Sequence, residues 1–338
     1  MIKEMPTIKK KGIEELEIYP ALMNALALGY ERIVAWADIL DRINVYPVPD
    51  GDTGRNLVIT LGPCRNINGN PDLLSREILF SARGNSGNIA AGFLAGFLTC
   101  RDLSSLPASA EAGRHLAYKA VPSPQQGTMI SLFDTLVTSL KRTPPEETGV
   151  WVESIIRDME ETVRNTREQL PALKKAGVVD AGALGMLVFL DPLLNTLAGR
   201  PVRPSFFTDD LKDSFNVSAT WQGQKYQGYC FDVLLKVEQE EQEVIKHVMD
   251  VGESVVAMPD GGCLKVHLHA TDRERARQDL TAIGAILSWA EDDLAEQTFR
   301  FSEPRKNQAI HIMTDAAGSI TRDLAQSLGI TLLNSYIA

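Results

Sequence analysis

Apolar side chains recur at steps of three and four residues from about residue 20 to about residue 200, which is the spacing of one buried helix face. The clearest run starts at Leu22, passes Leu26 and Tyr30, and ends before Asn44. Further runs of the same kind cover 56–61, 72–82, 86–100, 108–120, 128–141, 150–170 and 183–197. Glycine, proline and polar clusters separate the runs, and no alternating β-branched segment lies between them. The pattern predicts an all-α domain of about eight helices over residues 1–200.

The pattern changes after segment 199–205, whose two prolines predict a linker. Three later segments are strand-like: 229–237, 254–258 and 263–270. A Pro-Asp-Gly-Gly turn before the third strand predicts a hairpin. Two segments have a helical pattern: 242–251 and 273–287. We therefore expect a small α/β domain over residues 201–303.

Charge, hydropathy and cysteine content limit which classes of partner the protein can bind and which cell compartment it occupies. The chain has 338 residues, a formal net charge of −10 and a pI near 5.1, which disfavours nucleic acid or an anionic membrane as the main partner. No apolar stretch reaches the length of a transmembrane segment, and the first residues lack the apolar core of a signal peptide. The 4 cysteines are scattered rather than arranged as a disulfide framework. These features predict a cytoplasmic protein.

Two carboxylates, Asp50 and Asp52, lie two residues apart in segment 44–56. The segment is stiffened by prolines, which fix φ, and tightened by glycines: Pro47, Pro49, Gly51 and Gly54. Mg²⁺ is commonly held by one or two carboxylates together with substrate phosphates. An Asp-Gly-Asp sequence is also common in plain surface turns. The residues alone therefore leave both a metal-binding loop and a turn open.

Segment 83–87, Arg-Gly-Asn-Ser-Gly, precedes an apolar helical run. Glycine permits close approach of backbone N–H groups to phosphate oxygens, and the helix N-terminus adds partial positive charge. The alternative is that Ser86 is the N-cap of the helix and nothing more. The segment lacks the Gly-Lys-Ser/Thr ending of a Walker A loop, so nucleotide binding here must be of another kind.

Cys230 lies in one strand-like segment, and His267 and His269 alternate in another. Residues two apart on a strand share a face, so a His-x-His pair and a thiolate from a neighbouring strand supply three zinc ligands. The alternative is a small buried cysteine with the two histidines on a solvent-exposed face.

Four stretches taken together resemble a known family, the DhaL-type kinase domain. They occur in order along the chain: 44–56 (Asn-Val-Tyr-Pro-Val-Pro-Asp-Gly-Asp-Thr-Gly-Arg-Asn), 82–87 (Ala-Arg-Gly-Asn-Ser-Gly), 126–128 (Gln-Gly-Thr) and 178–185 (Val-Val-Asp-Ala-Gly-Ala-Leu-Gly). This domain is the ATP-binding part of dihydroxyacetone kinases and of the catalytic component of bacterial fatty-acid kinase. The Tyr-Pro-Val-Pro and Arg-Gly-Asn-Ser-Gly strings are more similar to the fatty-acid kinase branch. The resemblance implies that the helices form a barrel.

The resemblance also implies the roles of individual residues. Asp50 and Asp52 would be the catalytic metal-binding carboxylates that hold Mg²⁺, with Asn44 as a third ligand. The remaining matches would contact ATP: Thr53, Asn56, Arg83, Gly84, Asn85, Ser86, Gly87, Gly127, Thr128, Asp180 and Gly182. The chain departs from the fatty-acid kinase pattern at two positions. Gln126 stands where Glu is usual, and Arg55 replaces a small Thr.

The Gly-Tyr-Cys and Lys-Val-His-Leu-His strings resemble the middle domain of the fatty-acid kinase catalytic component, which implies zinc at Cys230, His267 and His269 and a homodimer. Because the cluster lies outside the kinase domain in sequence, a structural zinc is favoured. Residues 304–338 read as a strand, a loop, a helix and a strand, and they resemble the start of a DegV-type fatty-acid-binding domain that is here cut short.

The function implied is that of an ATP-dependent phosphotransferase, a kinase that phosphorylates the carboxylate of a fatty acid presented by a DegV-type carrier and gives an acyl phosphate. One alternative is a dihydroxyacetone-type kinase subunit, which would need a partner bearing a substrate-binding histidine. Another is a non-catalytic lipid-binding or regulatory protein that keeps the kinase fold. The intact carboxylate pair and segment 83–87 favour the enzyme over this last alternative.

Overall fold

The computed structural model describes residues 18–66, 70–121, 123–146, 149–202, 209–222, 226–238, 241–302, 312–315, 325 and 330–333. Up to residue 200 the described residues form nine α-helices: α1 Ile18–Arg42, α2 Thr53–Leu61, α3 Pro71–Ser81, α4 Gly84–Phe97, α5 Leu106–Ala120, α6 Met129–Arg142, α7 Trp151–Gln169, α8 Pro171–Ala176 and α9 Ala181–Leu197. The prediction of an all-α region is confirmed. The sequence predicts about eight helices, and the additional one is the short helix α8, which begins at Pro171 between the expected runs 150–170 and 183–197.

Helix α9 lies at the centre of the helical domain. Nearly every one of its side chains is buried, as expected for a helix that is apolar on all sides. It packs against α1, α2, α6 and α7, so it contacts the elements that carry the sequence motifs. The carboxylate of Asp180 caps its start by accepting the Ala183 N–H at 2.7 Å. The domain is thus built around α9, and the motif segments lie at helix starts around it.

The second domain contains a four-stranded sheet in the order β2-β3-β1-β4. Its strands are β1 Tyr229–Lys236, β2 Glu253–Asp260, β3 Cys263–Ala270 and β4 Ala285–Asp293, and its helices are α10 Glu241–Met249, α11 Arg273–Ile283 and α12 Leu294–Ser302. The predicted β2–β3 hairpin is present. All the strand pairings in this sheet are antiparallel, so the expected α/β domain is in fact a small antiparallel sheet with helices.

One prediction in this domain is wrong. Residues 273–287 were expected to form one helix, but α11 ends at Ile283 and residue 285 begins β4. The reason is that Gly284 takes an extended conformation, with φ −171° and ψ 169°, which ends the helix. Strand β4 is an edge strand, largely exposed and ending in three acidic residues, so it lacks the alternating apolar pattern of a half-buried strand.

The two faces of the sheet have different environments. Phe231, Val233 and Val266 point into a separate apolar core that includes residues of α10 and α11. On the other face, Val256 and Met258 join the core of the helical domain. The sheet therefore packs directly against the helical domain through the face that carries Cys230 and the two histidines.

The predicted DegV-like segment lies partly outside the described residues. Within them, strands β5 Ile312–Asp315 and β6 Ile330–Leu333 pair in parallel, and Ala325 between them is helical and buried. These pieces agree with the expected strand–helix–strand order, but they do not establish a DegV-like domain. Among the residues described, no helix has the length and apolar character needed to cross a membrane.

Close packing of α2 on α1 gives a test of the fold. A Cβ atom on Gly54 would lie 2.1 Å from the Ala37 carbonyl oxygen, so Gly54→Ala must push the two helices apart. We expect a loss of about 1–3 kcal/mol in the free energy of unfolding, the usual cost of overpacking. Chemical denaturation followed by circular dichroism measures it.

Gly62→Ala, at the other end of α2, is the matched control. Nothing lies within 4 Å of its Cβ position, and its φ of −48° suits alanine. This variant should be as stable as the parent protein or slightly more stable. Equal stability of the Gly54 and Gly62 variants would contradict the packing described for α1 and α2.

Candidate active site

Hydrogen bonds hold the segment 44–52 in a fixed shape ahead of α2. The Asn44 amide nitrogen donates to Asp50, and the Asn44 amide oxygen accepts the hydroxyl of Thr53 at 2.7 Å. Both polar ends of Asn44 are therefore engaged in joining the loop to the first residue of α2. The segment is not a plain exposed turn, because Asn44, Asp52 and Thr53 are buried. The role of Asn44 as a metal ligand stays a prediction.

The carboxyl group of Asp52 lies close enough to that of Asp50 to influence its protonation. Burial, reinforced by the charge of Asp52, holds the pKa of Asp50 well above its usual range. Burial also raises the pKa of Asp52, and the Arg55 guanidinium opposes that shift. Asp52 is buried and Asp50 is half-buried, so the two carboxylates repel each other strongly when both are ionised. A divalent cation between them would remove the repulsion, so this donor set fits Mg²⁺.

A third acidic residue, Asp41, supports the loop from the end of α1. Its carboxylate accepts the N–H groups of Gly54 at 2.6 Å and Arg55 at 3.1 Å, at the start of α2. Burial raises the pKa of Asp41 to about 7, although Arg55 acts against the shift. Sequence reasoning missed Asp41. Its place in the last turn of α1, away from the motif, gave no signal that it would reach α2.

Segment 83–87 forms the start of α4, which begins at Gly84, two residues before the helical run expected from residue 86. The N-cap is Arg83, whose side chain makes no capping bond, so Ser86 is not the N-cap. Gly84 has φ +60°, and a Cβ there would lie 2.2 Å from the amide nitrogen of Asn56. Only glycine satisfies both conditions, and the start of α4 therefore lies directly against α2.

The predicted motif segments meet at the start of α4. The hydroxyl of Ser86 is 3.4 Å from that of Thr53, the residue after Asp52. A Cβ on Gly182, in the first turn of α9, would lie 3.5 Å from the Ser86 hydroxyl and 3.1 Å from the Met129 methyl group. Three segments far apart in sequence thus converge on one point, with the carboxylate pair beside it.

The segment Gln126–Thr128 caps α6. The Thr128 hydroxyl accepts the Ile130 N–H at 3.4 Å and donates to the Gln125 carbonyl at 2.7 Å. The amide nitrogen of Gln126 lies 3.2 Å from the Tyr118 hydroxyl, and its oxygen accepts from Ser131 at 2.6 Å. The amide nitrogen also donates to the Asp134 carboxylate at 3.3 Å, so Gln126, which replaces the usual glutamate, makes donor contacts that a carboxylate could not make. The contacts of Gly127, Thr128 and Asp180 with ATP stay predictions.

Cys230, His267 and His269 form a buried cluster on the sheet. Cys230 is directly opposite His269, and Cys230 Sγ lies 3.8 Å from His267 Nδ1. One donor atom of each residue lies within 4.8 Å of the others. The two histidines are only 1% and 9% exposed, which excludes the alternative of a solvent-exposed face.

The donor atoms of this cluster suit a soft divalent metal. His267 Nε2 is buried without a hydrogen-bond partner, which is costly for a polar atom unless another ligand occupies it. Burial lowers the pKa of His269 to about 3, so its imidazole is neutral and able to ligate. Burial raises the pKa of the Cys230 thiol, and Asp232 adds to the shift. A zinc ion would reverse this effect by stabilising the thiolate.

The Cys230–His267–His269 cluster lies next to segment 44–52. Its position in the sequence had suggested the opposite, that it lies apart from that segment. Val48 of the loop packs with Cys230 and Leu294 in one small apolar group. The Tyr226 hydroxyl donates to the Pro47 carbonyl at 3.0 Å. His267 also lies close enough to Asp52 to act against the rise in the pKa of that carboxyl group. The loop and the cluster therefore form one continuous site between the two domains.

Two acidic residues of this site were missed by sequence reasoning. Asp232 accepts the Gly84 N–H at 3.0 Å and the Asn88 amide at 3.1 Å, and its Oδ1 lies 3.4 Å from His267 Nδ1. Strand alternation could have found it, because it follows Cys230 by two residues and shares its face. Asp292 is opposite Cys230 on β4, and no sequence signal identified that strand.

Two family models match this chain, one in each domain. A DAK2 domain model matches residues 47–195, and a model of the FakA-like middle domain, of the fatty acid kinase type, matches residues 226–300. The two matches cover the helical domain and the sheet domain that meet at the site. The chain therefore contains a DAK2 domain followed by a FakA-like middle domain.

The chain is also similar in sequence to bacterial proteins. The chain is 26% identical over 344 residues to Protein YloV of Bacillus subtilis (strain 168), covering 90% of this chain and 62% of that protein. It is 31% identical over 270 residues to the uncharacterized protein SAUSA300_1119 of Staphylococcus aureus (strain USA300), covering 71% of this chain and 49% of that protein. The chain thus spans only about half to three fifths of the length of these relatives.

The capping carboxylate of α9 predicts a dependence of stability on pH. Burial raises the pKa of Asp180 to about 7 against three opposing backbone N–H groups. Since the folded pKa is higher than the unfolded one, the stability contribution of this group is complete below about pH 4 and is lost as the pH rises through about 7.

Asp180→Asn keeps a good N-cap but does not titrate. The stability of the parent protein minus that of this variant should therefore fall between pH 4 and pH 8, by at most about 4 kcal/mol. Urea denaturation at a series of pH values measures the difference. A difference that is constant or rises over this range would show that the carboxyl group is ionised throughout.

Proposed function

We propose that this chain is an ATP-dependent kinase that phosphorylates the carboxylate of a fatty acid presented by a DegV-type carrier. The observation that carries the proposal is the meeting of the Asp50–Asp52 pair with the first turn of α4, where the hydroxyls of Thr53 and Ser86 are 3.4 Å apart. Phosphoryl transfer needs charge neutralisation and in-line positioning at one place, and this site combines metal-binding carboxylates with a helix N-terminus. The DAK2 domain match supports the kinase class.

The chemistry requires little from the protein beyond binding. The fatty-acid carboxylate oxygen forms a bond to the γ-phosphorus of ATP, the bond from that phosphorus to the β,γ-bridging oxygen breaks, and ADP leaves with the electron pair. A carboxylate is already ionised near neutral pH, so no general base is needed. Mg²⁺ held by Asp50 and Asp52 would offset the charge on the phosphates. Thr53, Ser86 and Asn56 would orient the nucleotide beside these carboxylates.

The fatty-acid substrate is supported by the middle domain, whose matching model is of the fatty acid kinase type. A carrier of the DegV type is part of the proposal because a long acyl chain needs apolar walls on several sides. The parallel strands β5 and β6 are too few to form such a pocket on their own. A homodimer formed through the middle domain completes the proposed assembly.

The function can be tested by measuring ADP formation with oleate and a DegV-type protein, compared with dihydroxyacetone and its own partner protein. We expect turnover only in the first mixture. Turnover with dihydroxyacetone would assign the chain to the other branch, and no turnover in either mixture would favour a non-catalytic role.

Asp50→Asn and Asp52→Asn should each lower turnover at least about 100-fold at saturating Mg²⁺, because each removes a charge that no other ligand replaces. Asp250→Asn, which changes an exposed aspartate beyond α10, is the matched control and should keep full turnover. Unchanged turnover in either loop variant would remove the metal assignment.

We further propose that Cys230, His267 and His269 bind zinc. Elemental analysis of protein prepared without chelator should find about one zinc ion per chain. Cys230→Ser, and the double variant His267→Ala with His269→Ala, should lose it, because each removes ligands from the cluster. Cys263→Ser is the control, since Cys263 is a free cysteine outside the cluster. Zinc retained in the ligand variants would place the metal elsewhere.

A further inference from the structure

One carboxylate touches both the proposed zinc cluster and the proposed phosphate-binding turn. Asp232 is 6% exposed and lies on β1 directly opposite His267. Its Oδ2 accepts the Gly84 N–H at 3.0 Å, which is the first amide of α4. Its Oδ1 lies 3.1 Å from the amide nitrogen of Asn88 and 3.4 Å from His267 Nδ1.

The contacts on the helical side are specific. The Asn88 amide nitrogen is shared between Asp232 and the Gly84 carbonyl, the latter at 2.8 Å, so Asn88 fixes both the carboxylate and the turn. Asn88 is fully buried and lies one turn after Gly84. The position of the first turn of α4 therefore depends on where the Asp232 carboxylate is held.

The contact on the sheet side reaches a proposed metal ligand. His267 Nε2 is buried without a partner, whereas His267 Nδ1 has Asp232 and Cys230 beside it. A carboxylate next to a metal-binding histidine commonly fixes the orientation of the ring. Metal binding that moves or orders His267 is thus transmitted to Asp232, and through it to the Gly84 N–H group.

We propose that Asp232 is a positioning residue that couples zinc in the Cys230–His267–His269 cluster to nucleotide binding at the start of α4. The proposal rests on the function proposed above, and it adds a coupling between the two sites. A negative carboxylate on the first amide of α4 opposes a phosphate group there. A zinc ion in the cluster offsets that charge and draws the carboxylate toward the sheet, so zinc strengthens nucleotide binding. By linkage, the nucleotide strengthens zinc binding by the same factor.

The test uses the whole chain in two forms, one loaded with zinc and one stripped by a chelator that is then removed, both with added Mg²⁺. Calorimetry gives the Kd of a non-hydrolysable ATP analogue for each form. In the parent protein, zinc should lower this Kd on the order of tenfold. In Asp232→Asn, zinc should leave the Kd unchanged, and zinc affinity measured against a competing chelator should fall about tenfold or more.

Two further variants distinguish a loss of coupling between zinc and nucleotide binding from a general loss of structure. Asp272→Asn replaces an exposed aspartate that caps α11, and it should show the full effect of zinc. Asn88→Ala removes one of the two Asp232 contacts on the helical side and leaves the Gly84 N–H bond, so it should reduce the effect of zinc on nucleotide binding while leaving zinc affinity nearly intact. This variant also tests the proposal if Asp232→Asn does not fold.

The outcomes are distinct. A purely structural defect in Asp232→Asn would weaken nucleotide binding equally in both forms and would keep the ratio of the two Kd values, which contradicts the proposal. Equal Kd values for the two forms of the parent protein would also overturn it, while leaving the kinase proposal in place. A parent protein that binds neither zinc nor the nucleotide analogue would reject the proposed function and the coupling together.

Discussion

The site depends on the burial of acidic groups beside one another. Asp50 and Asp52 share a hydrogen-bonded loop, and Asp41, in the last turn of α1, accepts backbone N–H groups at the start of α2. In a low-dielectric setting such charges repel strongly. Backbone N–H groups and the Arg55 guanidinium offset part of this repulsion by stabilising the ionised carboxylates. These donors fall short of full compensation, because the pKa of Asp50 stays well above its usual range. A pair of carboxylates whose mutual repulsion is only partly offset favours the binding of a cation.

The second domain completes this arrangement rather than forming a separate unit. Its sheet places one face on its own core and the other on the helical domain, where Met258 lies 3.2 Å from the Cβ position of Gly92 in α4. A Cβ on Gly51, in segment 44–52, would lie 2.6 Å from the ring of Phe301, which stacks edge-on with Trp221. The segment is therefore enclosed from the side of the middle domain, and that packing holds it in a fixed position.

Several motif residues have structural roles within the helical domain. Asp180 caps α9, Thr128 caps α6, and Gly84 permits the contact between α4 and α2. Because these residues fix the starts of three helices that meet near the carboxylate pair, their architectural and functional roles are not separable. The same helix starts that order the core also present their N-terminal N–H groups to the site.

The sequence by itself determined the helical domain, the β2–β3 hairpin and the candidate ligands, since hydrophobic period, glycine and proline positions, and strand alternation are local properties. It also predicted that Asp50 and Asp52 lie together, because two residues in a stiff loop are close in any fold. Only the tertiary structure decided that the Cys230 cluster adjoins that loop, and that Asp41, Asp232 and Asp292 belong to the site. Those contacts join residues up to 179 positions apart in sequence, from Pro47 to Tyr226, and they arise from the docking of a sheet face on a helix N-terminus. No local pattern encodes such docking, because it depends on the shape and charge of two surfaces that exist only after each domain has folded.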